Sequence, residues 1–408
     1  MSTLRLFVIS DAHVDSRPGQ KDSYANTTAH VGDGQSPLHD LHKLAEALTT
    51  NVDFVINAGD LGNRADEVGL AFGWRQLTDL ASQLGADLLA VPGNHDVVTR
   101  RASALPRSAV RDLQPEMPTV DVAKNLAFWE KGWVIHETSE ARFLLIDSTF
   151  GFPSFPIHAA EDSKEMEEYL DLLNRGVFSE EMQLQIFEAL QGKPSKLNVA
   201  VLHHHPVEHQ QRGYLQDSYG PMVRGSELIH LLSSNPELGR WFVIHGHKHL
   251  PQLVTASSST SNGPFMLCAA SASAVLWAPV ISVARNQVHL VELTDEDPQF
   301  PQSLRGTVQS WSWGFGIGWT EPTSMGVELP HMTGFGSNDD FRITAHRIEE
   351  VLDSAGEPHL GWSDVVTKVP TLPYMSPWDQ KYLVDYLDKV GIRVLLSRSG
   401  VIEQFVRK

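Results

Sequence analysis

The sequence predicts an α/β protein of the doubly wound kind, on three observations. Short runs rich in Leu, Ile, Val and Phe alternate with stretches of helical periodicity through the first part of the chain. Five of those runs stop at carboxylate, amide or imidazole side chains. Composition agrees, since 408 residues with 41% apolar content can bury a sizeable core and set an expectation of two or three domains.

The first run, Leu4-Arg5-Leu6-Phe7-Val8-Ile9, reads as a buried strand that delivers Ser10-Asp11-Ala12-His13 to its C-terminal mouth, where open α/β sheets bind ligands. A polar loop over 14–37 hangs beside that mouth and carries Asp15, Arg17, Lys21, Tyr24, Asn26 and His30. Ser36 as N-cap and Pro37 in the first turn open a helix with the apolar face Leu38, Leu41, Leu44, Ala45 and Leu48. A strand over 54–58 runs into Gly59-Asp60, a helix spans 68–84, and a strand over 88–92 runs into Gly93-Asn94-His95-Asp96.

Beyond an irregular, proline-broken stretch, 134–136 and 142–147 read as paired strands. Two amphipathic stretches follow, the second opening with the capping pattern Ser179-Glu180-Glu181-Met182. A strand over 199–202 ends at His203-His204-His205-Pro206, and one over 241–244 ends at His245-Gly246-His247-Lys248-His249. Residues 280–284 and 288–292 read as a hairpin. The acidic, proline-terminated segment Thr294-Asp295-Glu296-Asp297-Pro298 places a boundary between a domain over 1–295 and a C-terminal α+β accessory domain over 296–408. In that tail, the alternating stretch from Trp311 to Trp319 suits close strand packing; 341–352 and 378–390 read as helices, and 392–396 with 401–406 as a hairpin.

Net charge of −18 opposes adhesion to duplex nucleic acid, which relies on Lys and Arg to neutralise phosphates. The sequence has no apolar run long enough to span a membrane and no signal-peptide pattern, which predicts a cytoplasmic protein. Cys268 stands alone in an apolar stretch and reads as a buried small hydrophobe.

The strand ends offer Asp11, His13, Asp60, Asn94, His204, His247 and His249 as metal ligands, with no thiolate, a set suited to Mn²⁺, Fe²⁺ or Zn²⁺. Seven ligands exceed the needs of one ion. Two ions about 3.5–4 Å apart with one bridging carboxylate resolve the excess.

The ordered motifs Asp-x-His, Gly-Asp, Gly-Asn-His-Asp, His-His-Pro and Gly-His-x-His strongly resemble those of the calcineurin-like metallophosphoesterases, over roughly the first 295 residues. The wording of Asp11-Ala12-His13 and Gly93-Asn94-His95-Asp96 is similar to the cyclic-nucleotide phosphodiesterase-like branch. The resemblance implies a four-layer α/β/β/α sandwich and two bound divalent ions. It implies Asp11, His13 and His249 as ligands of one metal, Asn94, His204 and His247 as ligands of the other, and Asp60 as the bridge. His204 is chosen because the family's ligand lies two residues before the proline, which turns His203 and His205 away.

The mechanism implied is in-line attack on phosphorus by a hydroxide held between the metals. His95 is expected to stabilise the transition state or protonate the leaving group, with Asp96 fixing its tautomer or capping the next turn. By the resemblance Arg64 and Asn94 are expected to join His95 in binding substrate, with a surface ion pair as the other reading of Arg64. Asn63 stands where the family often has a second aspartate, which bears on the support around the ligands. His136, His230, His289, His331, His346 and His359 read as structural, His245 as core-facing and Lys248 as outward-pointing. The function expected is hydrolysis of a phosphodiester such as a cyclic nucleotide, another nucleotide or a small or single-stranded diester. The alternatives are a nuclease or phosphoprotein phosphatase whose C-terminal domain recruits substrate, and a non-catalytic scaffold on the same fold. The tail also offers a surface for a homo-oligomer or protein partner.

Overall fold

In the computed structural model, residues 3–17, 19, 22–27, 32–215, 219–257, 263–295, 303–323 and 326–408 are described; Lys21, His30 and 296–302 lie outside them. The chain begins with β1 (Thr3–Ile9), α1 (Pro37–Ala47), β2 (Phe54–Asn57), α2 (Glu67–Leu84) and β3 (Asp87–Ala90). The three strands are parallel neighbours, with Leu6 opposite Phe54 and Phe54 opposite Asp87. The side chain of Asp66 caps α2 by accepting from the amides of Val68 and Gly69, and Gly85 ends it in the left-handed region. Ser36 occupies the N-cap of α1 without a side-chain capping bond, so Pro37 is its main start signal.

The chain crosses through α3 (Ser108–Arg111) and α4 (Val122–Lys131) to a second sheet. It holds β4 (Trp133–Glu137), β5 (Ala141–Ile146), β6 (Leu197–Val201), β7 (Trp241–His245), β8 (Gln252–Thr255) and β9 (Phe265–Cys268) in the order β4-β5-β6-β7-β9-β8. Between them run α5 (Lys164–Arg175), α6 (Glu180–Leu190), α7 (Arg212–Leu215) and α8 (Gly225–Ser233). The expected cap on α6 is present, with Ser179 accepting from the Met182 amide.

The chain then returns through α9 (Ala278–Ile281) to β10 (Gln287–Thr294), β11 (Arg305–Gly314), β12 (Gly318–Thr320) and β13 (Met332–Phe335). Residues 280–284 are therefore not the first arm of a hairpin; Pro279 in the first turn of α9 has its backbone preset for a helix. Strand β10 pairs antiparallel to β1, and β11 follows β10 over eight residues, giving a seven-stranded sheet. The expected boundary at 295 thus falls inside one sheet. Polar, proline-terminated residues there mark a connection between paired strands, and a separate core begins only at Phe341.

Strand alternation builds the layers. Leu4, Leu6, Val8, Phe54 and Ile56 pack against Phe143, Leu145, Val199, Val201, Phe242 and Ile244 in one core between the sheets. Phe7, Ile9 and Val55 point the other way into Leu41, Trp74 and Leu77 of α1 and α2. Leu144, Ala200 and Val243 face Met182, Ile186, Leu228 and Leu232 of α6 and α8. The result is the four-layer α/β/β/α sandwich. The C-terminal α10 (Phe341–Ala355), β14 (His359–Gly361), α11 (Trp362–Lys368), α12 (Pro377–Lys389), β15 (Ile392–Leu396) and β16 (Ile402–Arg407) enclose their own α+β core. No helix among the described residues is long and apolar enough to cross a membrane.

Candidate metal centre

The C-terminal ends of β1, β2, β3, β6 and β7 meet at one rim, where the chain leaves each strand abruptly. Asp11, His13, Asp60, His247 and His249 all take left-handed backbone angles, with φ of 52°, 48°, 53°, 74° and 57°. Each such angle costs a non-glycine residue about 1–3 kcal/mol and persists where its surroundings hold it. Here the Asp11 amide donates to Gly59 O and the His13 amide to Asp60 O, both at 2.9 Å. The motif glycines permit close approach: a Cβ on Gly93 would lie 2.1 Å from Asp60 Oδ1, and one on Gly246 would lie 2.0 Å from Ser10 Oγ.

Asp60 lies between two groups of donors. On one side, Asp11 Oδ1 is 3.2 Å from His249 Nε2 and 3.7 Å from His13 Nε2, while the two imidazole nitrogens are 3.0 Å apart. Nitrogens each ~2.1 Å from one ion and at right angles around it would be separated by roughly 3 Å. On the other side, Asp60 Oδ2 is 3.1 Å from His203 Nε2, and His247 belongs to the same group; Asp60 Oδ2 also lies 3.8 Å from His13 Nε2. Asn94 Oδ1 is buried without a hydrogen-bond partner. A buried amide oxygen left unpaired is costly, and coordination of a cation would satisfy it. Donor set, spacing and orphaned oxygen therefore fit two divalent ions that share Asp60.

The charges answer one another. Burial opposes ionisation of Asp11 and Asp60, yet the neighbouring imidazoles hold both carboxyls well below the usual range. Burial likewise opposes a proton on His203, but the Asp60 carboxylate overrides it and pushes that imidazole up to about 9.

Four expectations need correction. His204 is not a member of either group: its Nδ1 is 2.7 Å from Ser148 Oγ and its Nε2 3.1 Å from Leu173 O. His203 takes the place, with Nδ1 2.8 Å from Ala58 O and Nε2 toward Asp60. The signal was present in β6, where Val199 and Val201 face the inter-sheet core and Leu202 faces away, so the next inward position is 203. Asp96 does not touch the His95 ring; its carboxylate accepts from the amides of Gly62 and Gly93 at 2.7 and 2.8 Å, clamping the β2 and β3 loops together. Burial, helped by Asp60, raises the Asp96 carboxyl to about 7. Lys248 is buried rather than outward.

The tautomer of His95 is set instead by a relay that sequence reasoning missed. Asp15, held by Arg17, accepts from Asn63 Nδ2 at 2.8 Å, which turns Asn63 Oδ1 to His95 Nδ1 at 3.1 Å. That oxygen can only accept, so this contact calls for the proton on Nδ1 and outweighs the longer 3.4 Å approach of the Arg64 amide to the same nitrogen. The His95 amide donates to Asp60 Oδ1 at 2.7 Å, tying the residue to the centre. Burial lowers the His95 imidazole to about 3. Arg64 stands at the mouth and ion-pairs with Asp22 at 2.8 Å. A cleft of about 500 Å³ opens over the centre between Arg64, His95, Tyr219 and Trp277.

A sandwich of this layering with paired Asp/His groups on its strand rim defines a class of α/β/β/α proteins suited to a dinuclear metal centre. The profile of the calcineurin-like phosphoesterases matches residues 4–251, and the chain belongs to that family. No curated protein sequence matches the chain. Among solved structures it is similar to a dimetal phosphatase from Danio rerio, at 13% identity and TM-score 0.46, over 76% of this chain and 96% of that one. It is similar to a purple acid phosphatase from yellow lupin (Lupinus luteus) seeds, at 13% identity and TM-score 0.46, over 82% and 54%. It is also similar to a 5'-nucleotidase precursor from Thermus thermophilus, at 14% identity and TM-score 0.34, over 75% and 54%.

Proposed function

We propose that the protein is a dinuclear-metal phosphoesterase that hydrolyses small or single-stranded phosphodiesters, with nucleotide esters, cyclic ones included, as the substrate class. The observation that carries this reading is the position of Asp60, within 3.1 Å of His203 and 3.8 Å of His13, between two separate donor groups. Asp11, His13 and His249 would hold one ion, Asn94, His203 and His247 the other, and Asp60 both. Two such ions lower the pKa of water and neutralise charge developing on phosphoryl oxygens.

The chain's own residues do the rest. His95, with Nδ1 committed to Asn63, turns Nε2 to the cleft; it serves at the leaving oxygen only as the imidazolium, so the charge of the bound phosphate must offset the burial that holds the free imidazole to about 3. Arg64, half-exposed at the cleft mouth, reaches a phosphate oxygen by exchanging its contact with Asp22. Support for a diester comes from the likeness of the Asp11 and Asn94 motifs to the cyclic-nucleotide phosphodiesterase-like branch. The strongly acidic chain favours small substrates over duplex nucleic acid.

The test is a substrate screen of the manganese-, iron- and zinc-loaded protein. Bis(p-nitrophenyl) phosphate and a cyclic nucleotide are expected to turn over faster than p-nitrophenyl phosphate, and Asp60→Asn to abolish all three rates. Turnover of the monoester with inert diesters defeats the diester reading.

A further inference from the structure

A second, smaller cavity of about 140 Å³ adjoins the cleft over the metal centre. The two share Arg64, Asn94, His95 and Asn174 as lining, so one substrate can reach from the cleft into the annex. Its remaining polar wall is formed by Thr99, Arg100 and Arg101. Pockets for drug-sized ligands run about 300–1,000 Å³, so a space this small suits one compact group rather than a base or sugar.

The charge of the annex runs against that of the chain. In a protein with 50 acidic and 32 basic residues, three arginines line this cavity and no carboxylate does. Arg64 has Asp22, whereas Arg100 and Arg101 form no ion pair with the described residues. Nor is the segment loose. Val97 is buried, the Val98 amide donates to Pro106 O at 2.9 Å, and the Tyr169 hydroxyl donates to Thr99 O at 2.5 Å. The backbone that carries the two guanidinium groups is thus fastened to α5 and to the following loop. Arginine forks of this kind match phosphate oxygens bidentately.

We propose that the annex binds a second phosphate of the substrate, so that the preferred substrates are nucleotide phosphodiesters bearing a further phosphate monoester one nucleoside away from the bond that is cut. The proposal rests on the phosphoesterase reading above and narrows its substrate class.

The manganese-loaded 408-residue chain is assayed on bis(p-nitrophenyl) phosphate and on a matched pair, thymidine 5'-(p-nitrophenyl phosphate) with a 3'-hydroxyl or a 3'-phosphate. One charge-assisted contact corresponds to a preference of about tenfold or more in kcat/KM for the 3'-phosphorylated ester, carried by KM. In R100A/R101A the ratio of the two esters, measured on the same preparation, falls to near one, and R100K/R101K retains part of it. Retention of the full ratio in R100A/R101A overturns the assignment. Wild-type protein that turns over bis(p-nitrophenyl) phosphate but treats the thymidine esters alike overturns the annex alone. Inertness toward all three substrates overturns the phosphoesterase reading beneath it.

Discussion

Replacing His203 and His204 separately by alanine gives opposite outcomes, because adjacent residues at the end of β6 face different surroundings. A ligand present at one hundred times its Kd stabilises the folded state by about 2.7 kcal/mol. At about 2.1 cal/mol/K per residue, the 408-residue chain unfolds with roughly 0.9 kcal/mol/K, so each occupied site raises Tm by about 3 °C. Two sites give a rise of about 6 °C in the wild type. His203→Ala removes a donor from the group shared with Asp60 and His247, so half of that rise and one of two bound ions are lost. His204→Ala takes the imidazole from Leu173 O and leaves Ser148 Oγ with only the amide of residue 204 at 3.3 Å, at a cost of about 1–3 kcal/mol for a buried group orphaned. Its metal-free Tm falls by a few degrees, yet its metal-dependent rise stays whole. Differential scanning calorimetry over a metal titration, with ion counts by mass spectrometry, reads both quantities. A His204→Ala protein that loses one ion while His203→Ala keeps two would refute the assignment.

Two further outcomes follow from the same geometry. Because Asp60 lifts the His203 imidazole to about 9, against an ordinary value near 6.5, its charge stabilises the metal-free fold fully below about pH 6.5. That stability is lost as pH rises through about 9, whereas metal uptake near pH 7 must expel the proton. Calorimetric titration in two buffers of different protonation enthalpy is expected to report at least one proton released near pH 7, the share of His203 together with that of His13, and none above pH 10. Gly93→Ala would drive a methyl to within 2.1 Å of Asp60 Oδ1 and 2.5 Å of Asp60 N. Displacing the bridge by about 1 Å is expected to lower kcat by about 100-fold, and wild-type rates in this variant would mean that Asp60 is not held from β3.

Much of the architecture could be read from the chain because strand periodicity is a local property. The layers follow from it: alternate residues of β1, β2, β6 and β7 divide cleanly between the inter-sheet core and the helix-covered faces. The same rule gave the wrong histidine when its phase was anchored on the proline after the strand instead of on Val199 and Val201 within it. Asn63 was legible only as a departure from a motif. Its partners Asp15 and His95 are 48 and 32 residues away, and no local pattern joins them. The sheet's return through β10 and β11 was hidden for a similar reason, since pairing between Leu293 and Gly306 spans the polar stretch that looked like a boundary.

The strained backbone at the rim and the charges on it are two sides of one requirement. A strand ending in the ordinary extended conformation would send successive side chains to opposite faces, so Asp11 and His13, or His247 and His249, could share a face but not turn inward together across two sheets. Left-handed angles at all four aim them across the gap. Two carboxylates are then buried within reach of each other's partners, a placement that is costly unless positive charge accompanies it. Protons on His13 and His203 supply that charge: burial disfavours both, and Asp11 and Asp60 reverse the balance. A divalent ion on either side of Asp60 does the same work with one centre of charge instead of a proton. A metal-free site that holds protons on His13 and His203 would give them up as the ions enter, so metal uptake is expected to weaken as pH falls.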